Sequence, residues 1–214
     1  ILACAARRAR GDESEHCSML IHVTRLTAVQ QRVRDQVERE MTEIRRRIRY
    51  EEPDQPTGIR ADLRSIWDAD FVPATAAISA SDCPAMSWEE INEQLKLAAN
   101  SIEVKEINGR AGEALDYIDH KSTGLKVIAI GGDKLSRGLT LEGLTCTYFL
   151  RASRMYDTLM QMGRWFGYRP RYLDLCRLYT TPDLVDWFGH ITDAAQELRQ
   201  EFEIMANAGA SPKD

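Results

Sequence analysis

KVIAIGGDKLSRGLTLEGLTCTYFLRASRMYDTLMQMGRWFGYR, residues 126–169, decides the fold. Val127 to Ile130 and Thr145 to Leu150 are short apolar or β-branched runs, the trace that a strand covered on both faces leaves in a sequence. Between them a glycine-bearing loop, Gly131 to Gly138, ends in the pair Arg137-Gly138. Met155 to Tyr168 is a predicted helix that ends by presenting Arg164 and Arg169. Buried strands alternating with helices imply a mostly parallel sheet inside a three-layer α/β sandwich.

Working outward, the same alternation continues in both directions. Ile1 to Arg8 has the pattern of the tail of an amphipathic helix, the pattern expected of a piece of a longer polypeptide. Met19 to Val23 is a short buried-strand run that holds His22, expected as a core histidine bonded to backbone. Thr27 to about Arg49 is a long helix with Val29, Val33, Val37, Met41, Ile44 and Ile48 at helical spacing. Its cluster Arg45-Arg46-Arg47 and Arg49 is expected on a solvated face. Residues 50–87 are broken by Pro53, Pro56, Pro73 and Pro84 and form an irregular helical insertion, with a helical piece from Ala61 to Ala69.

Ser87 with Glu90 three residues on caps a helix from Trp88 to Asn100. Ile102 to Ile107 alternates apolar and charged residues, as a strand near a sheet edge does. Glu113 to His120 is a predicted short helix and Leu175 to Tyr179 a last strand. Pro182 opens a terminal helix to about Asn207, on which Trp187 and Phe188 are expected in the core. The 214 residues thus form a single domain, 1–214, with 50–87 inserted in it.

With 43% hydrophobic residues the chain can bury a sizeable core, and a net charge of -5 argues against a nucleic-acid coat over the whole surface. Cys4, Cys17, Cys83, Cys146 and Cys176 are spread without a CxxC pair, which suits a reducing cytoplasm. His16, His22, His120 and His190 are equally scattered, so no metal site is expected. No apolar run suits a bilayer span and no signal peptide opens the chain.

Loops leaving the carboxyl ends of parallel strands collect at one edge and form a ligand crevice. Gly131-Gly132 lets backbone amides approach a phosphate, while Lys134 and Arg137 supply charge. The loop lacks the glycine directly before lysine that a Walker A cradle needs, so the chain has no evident nucleotide site of its own. In QMGRWFGYR, however, Gln161, Arg164 and Arg169 converge near a helix end. A guanidinium brought to a transferring phosphoryl group from a neighbouring lobe stabilises its charge, by about 10³-fold or more.

IGGDKLSRGLTLEG followed by QMGRWFGYR resembles motifs V and VI of superfamily-two helicases, and the pairing is similar to that of the Z-one domain family, a helicase-associated domain that also carries an endonuclease label. SMLIHVTRLTAVQQRV is similar to motif IV, so the likeness covers most of the chain. The resemblance implies a RecA-like second lobe of a DNA-processing or restriction-type ATPase. ATP and magnesium would be held only together with a first, amino-terminal lobe of the same polypeptide, and DNA would be the partner.

By position, the resemblance makes Gln161, Arg164 and Arg169 catalytic, with Arg169 favoured as the finger by its place at the helix end. It places Gly132, Asp133, Arg137 and Gly138 at the nucleotide, and Thr24, Arg25, Lys134 and Ser136 at the nucleic acid. Gly132 stands where motif V usually has threonine, and Thr140 where an acid is usual, which puts a carboxylate contact to the nucleotide sugar in question. Trp165, Phe166 and Tyr168 pack the helix end or stack on bases.

Two other readings stay open. One is a RecA-like module that binds DNA or protein and hydrolyses nothing. The other is a metal-dependent endonuclease, for which Pro53-Asp54 and Glu103-Val104-Lys105 supply the letters of a PD…ExK pattern. The chain alone is expected to be inert towards ATP.

Overall fold

The structure is a computed structural model and describes residues 1–24, 26–53, 55–78, 82–107, 117–132, 141–150 and 169–208. Five strands form one sheet: β1 (Cys17–His22), β2 (Ile102–Ile107), β3 (Lys126–Gly131), β4 (Leu144–Phe149) and β5 (Arg177–Tyr179). They lie in the order β2-β3-β1-β4-β5, and every pairing is parallel. β2 is an edge strand, as its alternation predicts, and β3 is buried at all six positions, as its apolar run predicts.

The two faces of the sheet bury different sets of residues. Cys17, Ile21, Ile128 and Ile130 meet α1 (Leu2–Ala9), α2 (Thr27–Tyr50), α3 (Ile59–Ile66) and α5 (Trp88–Ser101) on one side. Leu20, Val127, Ala129 and Phe149 meet the terminal helix α6 (Pro182–Ala208) on the other, through Leu184, Phe188 and Ile191. Alternate residues of β1 therefore feed opposite layers, as a pleated strand requires. The result is a three-layer α/β sandwich.

α1 is built from small residues, and Ala3, Cys4, Ala5 and Ala6 let it lie close along α5. α2, 24 residues long, presents Met41 and Ile48 to the core. Its arginine cluster is committed to protein partners. Arg45 donates to the carbonyls of Ala99 (3.0 Å) and Ile102 (2.6 Å), closing the open end of α5, while Arg46 pairs with Glu43 and Arg47 with Glu51. The capping box at α5 is present in both directions, Glu90 N–H to Ser87 Oγ and Ser87 N–H to the Glu90 carboxylate.

Three expectations are corrected. The helical piece expected at 61–69 starts at Ile59, opens into a π turn over Trp67–Phe71 and continues as α4 (Val72–Ile78). Pro73 does not end it: proline lacks an N–H and crowds the carbonyl one turn back, and the widened turn just before it accommodates both. Residues 117–123, which take in the described end of the helix expected at 113–120, form successive turns, in which Lys121 N–H bonds Ile118 and Gly124 N–H bonds His120.

Trp187 is 36% exposed rather than in the core. The stripe that meets the sheet runs through Leu184, Phe188 and Ile191, and Trp187 is turned off it, whereas Phe188 reaches Phe149 at 6.3 Å between rings. His22 is fully buried, its ring stacked on Phe149 at 5.2 Å. Among the described residues, no helix is long and apolar enough to cross a membrane.

Candidate functional site

The strand order fixes where a crevice can form. β1 sends its connection towards β2 on one side, while its neighbour β4 sends its own towards β5 on the other. The carboxyl edge between two such strands is the switch point at which ligands bind in open α/β sheets. Thr24 lies two residues past the end of β1, Gly132 lies directly past β3, and residues 151–168 begin directly after Leu150, the first residue beyond β4. Three adjacent strands, β3, β1 and β4, thus end at one edge.

Thr24 is half-buried, and both its oxygens serve the turn into α2. Its hydroxyl accepts from Leu26 N–H at 3.1 Å and its carbonyl accepts from the Gln30 side chain at 2.9 Å. Gly132 is a buried bend. These two do not by themselves make a holder for a nucleotide or its magnesium, because neither offers a carboxylate and the one hydroxyl is in use. Among the described residues, no group of three or more His, Cys, Asp or Glu is placed to bind a metal. Arg25, Asp54, Asp133, Lys134, Ser136, Arg137, Gly138, Gln161, Arg164, Trp165, Phe166 and Tyr168 lie outside the described residues.

Arg169 is described, and it is half-buried on the approach to β5. Its charge favours the ionised forms of Tyr172 and Cys176, two groups that burial otherwise pushes up, Cys176 to about 11. The Cys176 thiol in turn reaches the carbonyl of Leu144, the first residue of β4. Arg169 is therefore within electrostatic reach of the residues that lead into β5.

The segment after Arg169 is held by two acids and an arginine from elsewhere in the chain, Asp12, Asp82 and Arg10. Arg171 has a φ of 69°, a conformation that costs a non-glycine residue and persists only where its surroundings impose it. Its N–H bonds the Asp82 carboxylate at 2.9 Å, its guanidinium bonds Asp12 at 2.6 Å, and its carbonyl accepts from Arg10 at 3.1 Å. Arg10 also pairs with Asp174. Burial pushes the Asp174 carboxyl up, but the Arg10 fork and the Thr75 hydroxyl outweigh it and hold the group below its usual range. Arg7 covers the Tyr172 ring at 4.3 Å.

Reasoning from the sequence missed these residues. Arg10, Asp12 and Asp82 are far from the segment in sequence, and nothing in their spacing marks them as its partners. Glu103 and Lys105, half of the nuclease pattern, pair with each other at 3.0 Å on the exposed edge strand.

A five-stranded parallel sheet with a switch point between β1 and β4 defines an α/β protein of the ligand-crevice type. A family model, the Z1 domain, matches residues 1–214, and the chain belongs to the Z1 (Z-one) domain family. No curated protein and no solved structure matches the chain.

Proposed function

We propose that the chain is the second lobe of a superfamily-two helicase-like, nucleic-acid-dependent ATPase of a DNA-processing or restriction-type system. The observation that supports this reading is that β1, β3 and β4, the strands that carry or precede the motif IV, V and VI segments in the sequence, are neighbours in one parallel sheet, in a chain of the Z1 domain family. The first lobe would hold ATP and its magnesium, and this lobe would bring arginine to the transferring phosphoryl group. Gln161 would position water or phosphate. The loop of Gly132, Asp133, Arg137 and Gly138 would couple closure to the nucleic-acid backbone, with Thr24, Arg25, Lys134 and Ser136 along the strand.

The surroundings of Arg169 move weight between the two arginines. Position in the sequence favours Arg169 as the finger, but its neighbours Tyr172 and Cys176 stand at the amino end of β5, so Arg164 becomes the stronger candidate for the phosphoryl contact. In the full-length protein, Arg164→Ala is expected to abolish DNA-stimulated ATP hydrolysis with the far-ultraviolet circular dichroism unchanged, and Arg169→Ala to lower it. Unchanged turnover in both variants would leave the non-catalytic binding module as the better account. Metal-dependent nicking by the 214-residue chain, lost in Glu103→Ala, would favour the nuclease instead.

A further inference from the structure

A cavity of about 300 Å³ lies between the sheet and the helical layer of α1, α2 and α3, at the lower end of the about 300–1,000 Å³ of small-molecule sites. Its floor is a row of residues in register across the sheet. Ile128 of β3 stands beside Met19 of β1, Met19 beside Cys146 of β4, and Cys146 beside Arg177 of β5. Leu2 of α1, Met41 of α2 and Phe71 of the π turn cover it. Strands stand about 4.8 Å apart, so the three steps from Ile128 to Arg177 span about 14 Å. Along the strands the cavity is short: Ile21 and Ile130, one pleat beyond Met19 and Ile128 on the same face, are buried and take no part in its lining. The space is a trench, long across the strands and narrow along them.

The polar side chains on its lining are already committed among the described residues. The Ser18 hydroxyl donates to the Glu142 carbonyl at 2.7 Å and lies 2.9 Å from the Tyr117 hydroxyl. The Thr145 hydroxyl donates to the Ser18 carbonyl at 3.2 Å, and Arg177 holds the Asp70 carboxylate at 2.8 Å. A cavity whose polar groups are satisfied stays dry and takes apolar molecules. The thioethers of Met19 and Met41 are flexible and polarisable, and adapt to whatever lies between them. Tyr179, 49% exposed on the edge strand, marks the open end.

We propose that the trench binds one unbranched alkyl chain, laid across the strands with its polar end in solvent beside Tyr179. An extended chain built from C–C bonds of ~1.5 Å advances about 1.3 Å per carbon, so about eleven carbons cover the row. The chain belongs to a free fatty acid or to a single-chain lipid: the trench reads the methylenes, and the head group stays outside. Cys17, Thr145 and Arg177 stand in the amino-terminal halves of their strands, whereas Thr24 and Gly132 lie past the carboxyl ends. The alkyl site is therefore separate from the crevice of the proposed ATPase and does not rest on that reading.

The test titrates the full-length protein by calorimetry with straight-chain primary alcohols of increasing length, each as monomer in solution. Affinity should rise about fourfold per added methylene and level off at about twelve carbons, where the trench is full. 1-Adamantanol, a compact cage, should bind about tenfold or more weakly than 1-decanol, because fewer of its carbons fit a narrow site. Cys146→Phe, which puts a ring in the middle of the row, should weaken 1-dodecanol by about tenfold or more. If that variant fails to fold, the length series on the wild-type protein decides. Dodecanoate and the lysophosphatidylcholine of the same chain should both bind, and the tighter of the two names the source. Absence of 1-dodecanol binding up to its solubility, affinity that climbs without levelling off, equal binding of 1-adamantanol, or unchanged binding in Cys146→Phe overturns the proposal.

Discussion

Arg10 and Asp174, 164 residues apart, meet fork to fork with the carboxylate fully buried, at 2.9 Å between Nη1 and Oδ1 and 2.5 Å between Nη2 and Oδ2. The pair ties the end of α1 to the turn that leads from Arg169 into β5. Removing one partner of such a pair leaves an uncompensated charge in the interior, which costs about 3–5 kcal/mol, whereas replacing both can be nearly neutral. Asp174→Asn is therefore expected to lower unfolding stability by about that amount, and Arg10→Met with Asp174→Leu to cost less than either single change. A double-mutant cycle in urea checks this; additive single costs would refute the coupling. Because the folded-state carboxyl titrates below its unfolded counterpart, this stability is present above about pH 4 and lost as pH falls through the folded value.

His16 gives a second pH dependence, nearer neutrality. Its Nδ1 accepts from Leu125 N–H at 2.9 Å, so that nitrogen must be unprotonated in the fold. Burial lowers its pKa, with Glu142 opposing. The unfolded chain binds the proton more readily, so stability should fall as pH drops below about 6.5. His16→Asn keeps an acceptor that does not titrate. The difference between wild type and variant should therefore shrink from about pH 7.5 to about pH 5.5; an unchanged gap in urea midpoints would count against the assignment.

Gly143 and Gly11 both have positive φ, 64° and 83°, yet their substitutions should differ. A Cβ at Gly143 would fall on the His16 carbonyl and the Arg7 guanidinium, while one at Gly11 meets nothing within 4 Å. Gly11→Ala should cost about 1–2 kcal/mol, the left-handed term alone. Gly143→Ala should exceed this clearly, because backbone must move where the chain enters β4. Equal losses in thermal or urea unfolding would contradict the steric account.

Ser87→Ala should lower stability by about 1 kcal/mol, the usual worth of a side-chain N-cap. Its reciprocal partner Glu90 is held below the usual carboxylate range by the Ser87 N–H and hydroxyl, so the box weakens as pH falls through that lowered value. Circular dichroism of Ser87→Ala on acid titration should show a shallower loss than wild type near pH 4, approximately the ordinary range of the group.

Strands, the long helix and the capping box were legible because each is a local pattern: buried runs in β1, β3 and β4, helical spacing along α2, and a serine three residues before a glutamate. The alternation in Ile102 to Ile107 even placed β2 at the edge. Where a local rule met a neighbour, it failed. Pro73 continues a helix because the turn before it widens, and Trp187 is exposed because the sheet meets a different stripe of α6.

The sequence by itself determined the fold class and the family, since strand burial and the spacing of glycine and arginine around residues 131–169 are properties of consecutive residues. Only the tertiary structure decided that β3 and β4 flank β1, so that their carboxyl ends share an edge, and that Arg171 is fixed by Asp12, Asp82 and Arg10. Strand order and ion pairing join residues up to 164 positions apart, and their energy depends on burial and on fork geometry that no local pattern encodes.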